Sequence, residues 1–213
     1  LWQNTEANGT SVGVAFGSAA PAPVNGTFNG GQALQAFSSS GDVVYQANVS
    51  GGTSASAIFR FRPGAGVEAV VRLNEAAPGL PNSFTSYGSF PVNSAGTVTF
   101  EGLQSGAILG LFQKPAGGAL GLFVANSVAT PIGGNLFLVS IPTQTLADGS
   151  VIVRAAVYNS PAYYAVFRWS GSPTTLMSNS DYLPLGGRVV VRPTFVSASG
   201  DWVGVSTQRA GGR

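Results

Sequence analysis

The sequence predicts an all-β fold made of repeated sheet units, and three observations lead to that prediction. The 213 residues include 30 glycines and 13 prolines, a composition typical of short strands joined by tight turns. Apolar and polar residues alternate with the two-residue period of a strand, and no run of ten or more residues has a helical period. A glycine-led apolar run also returns about every 53 residues, which indicates a repeat architecture.

Three sequence markers share this spacing. The first is a glycine before an apolar run, found at Gly41, Gly96, Gly149 and Gly200, with spacings of 55, 53 and 51. The second is a triplet of a small, an aliphatic and an aromatic residue, at 57–59, 110–112 and 165–167. The third is a proline after a short apolar strand, at Pro21, Pro78, Pro131 and Pro184. The markers define four units: 17–73, 74–126, 127–179, and 180–213 completed by 1–16.

The first unit contains four predicted strands, at 32–37, 42–49, 56–62 and 67–73. In the second of these, Val43, Tyr45 and Ala47 alternate with Val44, Gln46 and Asn48. Glycine-containing turns separate the strands. The second and third units repeat the plan, with turn signals at 105–106, 116–118, 159–161 and 170–171. Each unit is therefore predicted to be a four-stranded antiparallel sheet.

The two ends of the chain are predicted to be complementary halves of one unit. Residues 1–3 align with 58–60, and residues 12–16 align with the fourth strand, so the N-terminus supplies a second half. Residues 201–206 supply a strand of the first half. The simplest geometry is a β-propeller-like ring of four four-stranded blades, one closed by both termini, as a single repeat domain over 1–213. The alternative is a fragment of a larger propeller or a β-solenoid.

The second unit carries a recognisable repeat motif, Asn93-x-x-Gly96-x-x-x-Phe100. Together with the Leu111-Phe112 pair and the turn at 77–79, this motif resembles bacterial tandem-repeat proteins with an NxxGxxAF-type repeat. The other units depart from the motif at its Asn and Phe positions, which hold Ser38 and Tyr45, Leu146 and Val153, and Ser197 and Gly204. The resemblance implies an exported protein, often attached to the cell surface through a C-terminal anchor. It implies no catalytic residues.

The composition excludes several classes of function. The chain is cysteine-free and has no histidine, which excludes disulfides, zinc sites with Cys or His ligands, and a Ser-His-Asp triad. The net charge is +2, and no basic run indicates nucleic-acid binding. The sequence contains no run of 18 consecutive apolar residues, so it predicts no transmembrane helix. Low charge and abundant Ser, Thr, Asn and Gly favour an extracellular, cell-surface or periplasmic bacterial protein, and the start at Leu1 favours a mature or trimmed product.

Two sets of polar residues are candidate binding sites. Asp42 and Asp201 each follow a repeat glycine, so adjacent units of a closed ring would place both carboxylates on one rim, as a glycosidase requires; the simpler interpretation is that Asp favours turns. The second set follows the aromatic of the triplet and consists of Gln3, Arg60, Gln113 and Arg168. This set would bind an anion or a sugar, or cover an outer face. Trp2 and Trp202 add aromatic surface for carbohydrate binding.

These observations favour a non-catalytic extracellular scaffold engaged in protein–protein interaction, as an accessory subunit of a larger surface or membrane-associated assembly. The alternative is a carbohydrate-binding or carbohydrate-cleaving propeller. Partners are predicted to be proteins or a surface glycan. The sequence predicts no cofactor and no metal site.

Overall fold

The computed structural model describes residues 2–5, 9–12, 16–104, 107–137, 142–160, 164–178, 193–196 and 203–205. The strands are β1 (Trp2–Thr5), β2 (Gly9–Val12), β3 (Thr27–Phe37), β4 (Val43–Ser50), β5 (Ser56–Arg62), β6 (Gly66–Arg72), β7 (Ser86–Tyr87), β8 (Val98–Gln104), β9 (Ala107–Lys114), β10 (Gly121–Ala125), β11 (Asn135–Phe137), β12 (Pro142–Thr145), β13 (Val151–Tyr158), β14 (Tyr164–Trp169), β15 (Pro173–Ser178), β16 (Pro193–Val196) and β17 (Val203–Val205).

The fold is all-β, as predicted, and contains three antiparallel sheets of four to five strands. Sheet 1 has the order β3-β4-β5-β6, sheet 2 has β10-β9-β8-β7, and sheet 3 has β11-β13-β14-β15, with β12 also paired to β13. Two further hairpins, β1-β2 and β16-β17, lie near the chain ends. The described residues form no helix, and so none that could cross a membrane. The strands predicted for the first unit correspond to β3, β4, β5 and β6.

The strand register is equivalent at the positions that recur in the sequence. Across the central pair of each sheet, Tyr45 faces Phe59, Phe100 faces Phe112, and Val153 faces Phe167. Each sheet also has a β-bulge at its triplet, where the register of the outer strand shifts beside the aromatic residue. A bulge adds local twist to a strand pair. The triplet therefore marks the same bend in all three sheets.

The repeated glycine has a backbone reason. Gly41, Gly96 and Gly149 have φ angles of +84°, +79° and +83°. Side chains disfavour this left-handed conformation, because the Cβ atom approaches the neighbouring carbonyl, and glycine adopts it freely. Each glycine closes a tight turn by donating its N–H to the carbonyl of the residue three positions earlier. The glycine recurs in the sequence because the same turn begins the second strand of each sheet.

The three sheets stack face to face in chain order. Each sheet has an aromatic face, which carries the aromatic of the triplet, and an aliphatic face, which carries its aliphatic residue. Ile58 from the aliphatic face of sheet 1 shares one core with Phe100 and Phe112 of sheet 2. Leu111 from the aliphatic face of sheet 2 shares another with Phe167 of sheet 3. The stacking leaves the aromatic face of sheet 1 and the aliphatic face of sheet 3 at the two ends.

Equivalent aromatic clusters fill the first two sheets. In sheet 1 the rings of Tyr45 and Phe59 stack with centroids 5.7 Å apart. In sheet 2 the rings of Phe100 and Phe112 stack at the same distance. A third ring meets each stack edge-on, Phe28 on Phe59 and Phe84 on Phe112. The aromatic packing is therefore the same in both sheets, except that Tyr45 of sheet 1 takes the place of Phe100 of sheet 2.

Replacing Tyr45 with phenylalanine is expected to stabilise the protein. The Tyr45 side chain is fully buried, and its hydroxyl makes no hydrogen bond within the described residues. Removing a buried unsatisfied hydroxyl recovers its desolvation cost, about 1 kcal/mol. Urea unfolding followed by fluorescence measures the change. The matched reverse variant, Phe100→Tyr, is expected to lower the free energy of unfolding, and equal stability of all three proteins would contradict the prediction.

Each end of the chain forms a two-stranded hairpin, β1-β2 and β16-β17. β1 overlaps the strand predicted at 1–3, whereas β2 ends at Val12, where the second predicted strand (12–16) was expected to begin. β17 lies within the strand predicted at 201–206. The strand pairings of the described residues do not join the two hairpins, so they show no closed propeller. Asp201 and Trp202 lie outside the described residues.

Candidate functional site

The strongest candidate site is a groove where the three sheets meet. It has a volume of about 520 Å³ and is lined by segments 36–39 of sheet 1, 89–94 of sheet 2 and 144–147 of sheet 3. We call it the junction groove. Each segment leads into one of the turns closed by Gly41, Gly96 and Gly149. The repeat therefore brings equivalent positions of three units to one place.

Buried hydrogen bonds between sheets 2 and 3 hold the walls of the junction groove. The Asn93 amide donates from Nδ2 to the carbonyl of Leu146 at 2.7 Å, and its Oδ1 accepts from the backbone N–H of Thr97 at 2.8 Å. The Thr145 hydroxyl donates to the hydroxyl of Thr99 at 2.7 Å. Asn93, Thr99 and Thr145 are all buried. The motif asparagine of the sequence thus links the turn of its own unit to the turn of the next.

The surface of the junction groove is polar and uncharged. Within the described residues, the side-chain hydroxyls of Ser39, Ser89 and Ser94 line it without a hydrogen-bond partner. None of the charged side chains that the structure describes belongs to the lining. Phe37 also lines it, with 65% of its surface exposed. The lining therefore combines an exposed aromatic ring with free hydroxyls.

Asp42 lies beside the junction groove and is held by its neighbours. It is only 1% exposed and accepts hydrogen bonds from Arg62 Nε at 2.7 Å, Ser40 Oγ at 2.7 Å and Ser38 Oγ at 3.0 Å. Burial raises the pKa of Asp42, but the hydrogen bonds from Arg62, Ser40 and Ser38 outweigh it and hold this pKa below its usual value. The carboxylate therefore remains ionised and paired. The predicted approach of Asp201 stays a prediction.

The ion pair predicts a loss of stability in acid. The pKa of Asp42 is lower in the folded protein than the value of about 3.9 in an unfolded chain, so the unfolded state binds more protons as the pH falls. The Asp42 contribution is complete above about pH 4 and is lost as the pH drops through the folded pKa. Asp42→Asn is expected to flatten the fall of the urea midpoint between pH 6 and pH 2.5. An unchanged pH profile in the variant would contradict this assignment.

The matched set of Arg60, Gln113 and Arg168 forms contacts within the protein. Arg60 has no exposed side-chain surface; it donates to Glu68 and, at 3.4 Å, to the carbonyls of Lys114 and Pro115 on the next sheet.

Gln113 and Arg168 both bond at the turn that contains Gly149. Gln113 donates from Nε2 to the carbonyl of Gly149 on sheet 3 at 2.8 Å. Arg168 pairs with Asp148 at 2.7 Å and donates to the Ser150 hydroxyl at 3.1 Å. Arg60 and Gln113 thus connect adjacent sheets, whereas Arg168 bonds within its own sheet.

The remaining predicted site residues lie at the chain ends. Trp2 and Gln3 belong to β1, and the structure does not describe their side chains. A role of the set in ligand binding stays a prediction. In the part of the chain that the structure describes, no three acidic side chains are grouped to hold a metal ion.

Sequence reasoning missed the residues that line the junction groove. It selected charged residues, glutamines and tryptophans, because their side chains offer ionic, hydrogen-bonding or aromatic contacts to a ligand. The available signal was the position three residues before each repeat glycine, which holds Ser38 and Asn93 in two of the three described sheets. Equivalent positions of a stacked repeat converge at one end, and a polar set there indicates a shared surface.

Comparison with known proteins gives a family but no assigned activity. No curated protein and no solved structure matches the chain. A protein family of unknown function, DUF7453, matches residues 1–162. The match spans sheets 1 and 2, most of the strands of sheet 3 and the first hairpin. The chain therefore belongs to the DUF7453 family.

Proposed function

We propose that the chain is a non-catalytic interaction module on the exterior of a bacterial cell, a scaffold or accessory subunit of a larger surface or membrane-associated assembly. The observation that carries this proposal is that several polar side chains outside the groove lining are bonded within the protein, whereas free hydroxyls line the groove. Arg60, Gln113 and Asp42 are bonded within the protein, and free hydroxyls gather in the junction groove. The resemblance to exported NxxGxxAF-type repeat proteins supports the location.

The scaffold that we propose is a closed ring of four blades, with the two terminal hairpins forming the fourth. The burial of residues on the two outer faces of the three-sheet stack supports closure of the ring. Phe59 on the aromatic face of sheet 1 and Val166 on the aliphatic face of sheet 3 are both fully buried, although neither faces another of the three sheets. β16 also contacts β12 of sheet 3. A fourth blade would cover both end faces and leave no open stack.

Ring closure is testable by a distance measurement between spin labels. The cysteine-free chain permits specific labelling at Gln3→Cys and Val203→Cys, on β1 and β17. In a closed ring these strands are adjacent, and the label distance is expected to match that of a reference pair at Thr27→Cys and Ser50→Cys, which face each other in sheet 1. Dilution with unlabelled protein removes any distance between molecules. A distance clearly longer than the reference would contradict closure.

The interaction role is testable by photo-crosslinking in the native host. A benzophenone amino acid at Phe37 is expected to yield covalent adducts of the exported protein, because Phe37 is exposed in the junction groove. The matched control carries the same group at Phe16, which is 78% exposed and is not part of the groove lining. Adducts at neither position, or equal adducts at both, would contradict an interaction through the groove.

A further inference from the structure

We propose that the junction groove binds a neutral saccharide, and this inference rests on the proposed interaction role. The groove is about 520 Å³ in volume, within the range of about 300–1,000 Å³ of small-ligand sites. Its three walls come from three different sheets, so it is a concave surface and not a single flat face. The class of ligand follows from the charge and hydrogen-bonding groups of the described lining and from the exposed ring of Phe37 within it.

The absence of charge in the described lining selects against ionic ligands. A charged ligand loses hydration on binding and requires an opposite charge to offset that cost. The nearest ion pair, Asp42 with Arg62, is already satisfied: Arg62 donates to Asp42 and, through Nη2, to the carbonyl of Ala95 at 2.9 Å. Arg62 therefore has both an anionic and a neutral partner within the protein. The groove matches a ligand without net charge.

The free hydroxyls select for a ligand that both donates and accepts hydrogen bonds. A serine hydroxyl offers one donor and two acceptor sites, and Ser39, Ser89 and Ser94 come from two different sheets. An apolar ligand would bury these hydroxyls without partners, which is costly. Sugar hydroxyls have the same dual character and satisfy them. This arrangement favours a polyhydroxylated ligand over a lipid or another apolar molecule.

Phe37 supplies the apolar contact that a sugar ring requires. Its ring is 65% exposed, and it borders the same groove as the free serines. The C–H face of a pyranose is apolar, and burying it against an aromatic face removes both from water. Covering the exposed ring of Phe37 with a ligand would remove that apolar surface from water. The pairing of Phe37 with the serines therefore fits the two sides of a sugar.

The groove is also fixed before the ligand arrives. Asn93 and Thr145 hold sheets 2 and 3 together with buried hydrogen bonds of 2.7 Å, and Asp42 fixes the Ser38 turn. Binding then orders few protein groups, which limits the entropy cost of association. Rigid walls with rotatable hydroxyls are suited to a family of related neutral sugars.

The test is calorimetric titration of the folded chain with named neutral oligosaccharides. The probes are cellohexaose, xylohexaose, mannohexaose, maltohexaose and chitohexaose, with polygalacturonate and a heparin hexasaccharide as charged comparisons. At least one neutral probe is expected to bind, and Phe37→Ala is expected to weaken it about tenfold. Phe16→Ala removes a ring that is also exposed but lies outside the described groove lining, and this variant is expected to bind as the wild type does. Ser94→Arg, which places bulk and charge in the groove, is a second variant with the same expected loss.

Each outcome decides the inference. Binding of no neutral probe up to 10 mM, about the limit of weak recognition, overturns it. So does tighter binding of the charged probes, or an equal effect of the Phe37 and Phe16 variants. If the photo-crosslinking adducts at Phe37 contain only protein and no neutral probe binds, the saccharide inference fails while the interaction role stands. If neither adducts nor sugar binding are found, both fail.

Discussion

Replacing Phe112 with alanine is expected to lower the free energy of unfolding by about 3–5 kcal/mol, the usual cost of truncating a buried aromatic residue. Phe112 is fully buried in the core that joins sheets 1 and 2. Its ring stacks on Phe100 and receives the edge of Phe84 at a centroid distance of 4.8 Å. The variant would therefore lose apolar burial and leave a cavity between two sheets. Urea unfolding followed by circular dichroism measures the loss.

Two matched variants separate the core effect from the loss of an aromatic ring as such. Phe59→Ala removes the equivalent ring of sheet 1 and is expected to cost a similar amount. Phe37→Ala removes an exposed ring and is expected to change stability by less than about 0.5 kcal/mol. A loss below about 1 kcal/mol in Phe112→Ala would contradict the packing of sheet 2 on sheet 1. Stability of the Phe37 variant also establishes that its binding defect is local.

Replacing Glu68 with alanine is expected to cost about 3 kcal/mol, far more than an exposed acid normally contributes. The Glu68 side chain is 38% exposed, whereas its partner Arg60 has no exposed side-chain surface. Removal of Glu68 leaves a buried guanidinium whose remaining partners are the carbonyls of Lys114 and Pro115, both at 3.4 Å. A buried charge without a counter-charge is strongly destabilising. The expected loss of unfolding free energy therefore comes from the unpaired charge of Arg60 between the sheets.

A double-mutant cycle tests this explanation. Arg60→Met keeps most of the side-chain volume and leaves Glu68 partly hydrated, so it is expected to cost less than Glu68→Ala. The double variant Arg60→Met/Glu68→Ala is expected to be more stable than Glu68→Ala alone, because no unpaired charge remains. Glu75→Ala is the control; Glu75 and Arg72 lie 3.9 Å apart and are each about one-third exposed, and such pairs contribute below about 1 kcal/mol. Additive costs in the cycle would contradict the assignment.

Much of the architecture could be predicted from particular residues. Gly41, Gly96 and Gly149 indicated a recurring turn, and all three have positive φ. The triplet aromatics Phe59, Phe112 and Phe167 indicated a recurring strand position, and all three are buried at the same register. These predictions succeeded because backbone conformation and strand alternation are local properties. A glycine-only turn and an apolar face both leave a direct pattern in the sequence.

The candidate site was predicted less well, for reasons that involve distance along the chain. The sequence offered Arg60 as a ligand-binding residue, and only the fold shows that its side chain is buried and paired with Glu68. The junction groove was missed because Phe37, Ser94 and Gln144 are about 50 residues apart in sequence and meet only when three sheets stack. Serines without a distinctive motif carry no signal by themselves. Their contribution to a binding surface depends on which residues of the other sheets lie beside them in the fold.

The amino-acid sequence by itself determined the all-β class, the repeat of about 53 residues, the turn glycines and the two faces of each strand, because these depend on residues close together in the chain. The tertiary structure alone decided which face of each sheet meets its neighbour, which charged groups are satisfied, and where an uncharged groove opens. Burial and pairing are properties of contacts between distant segments. For this reason the sequence identifies Asn93 only as a repeat marker, whereas the fold shows that its side chain links two sheets.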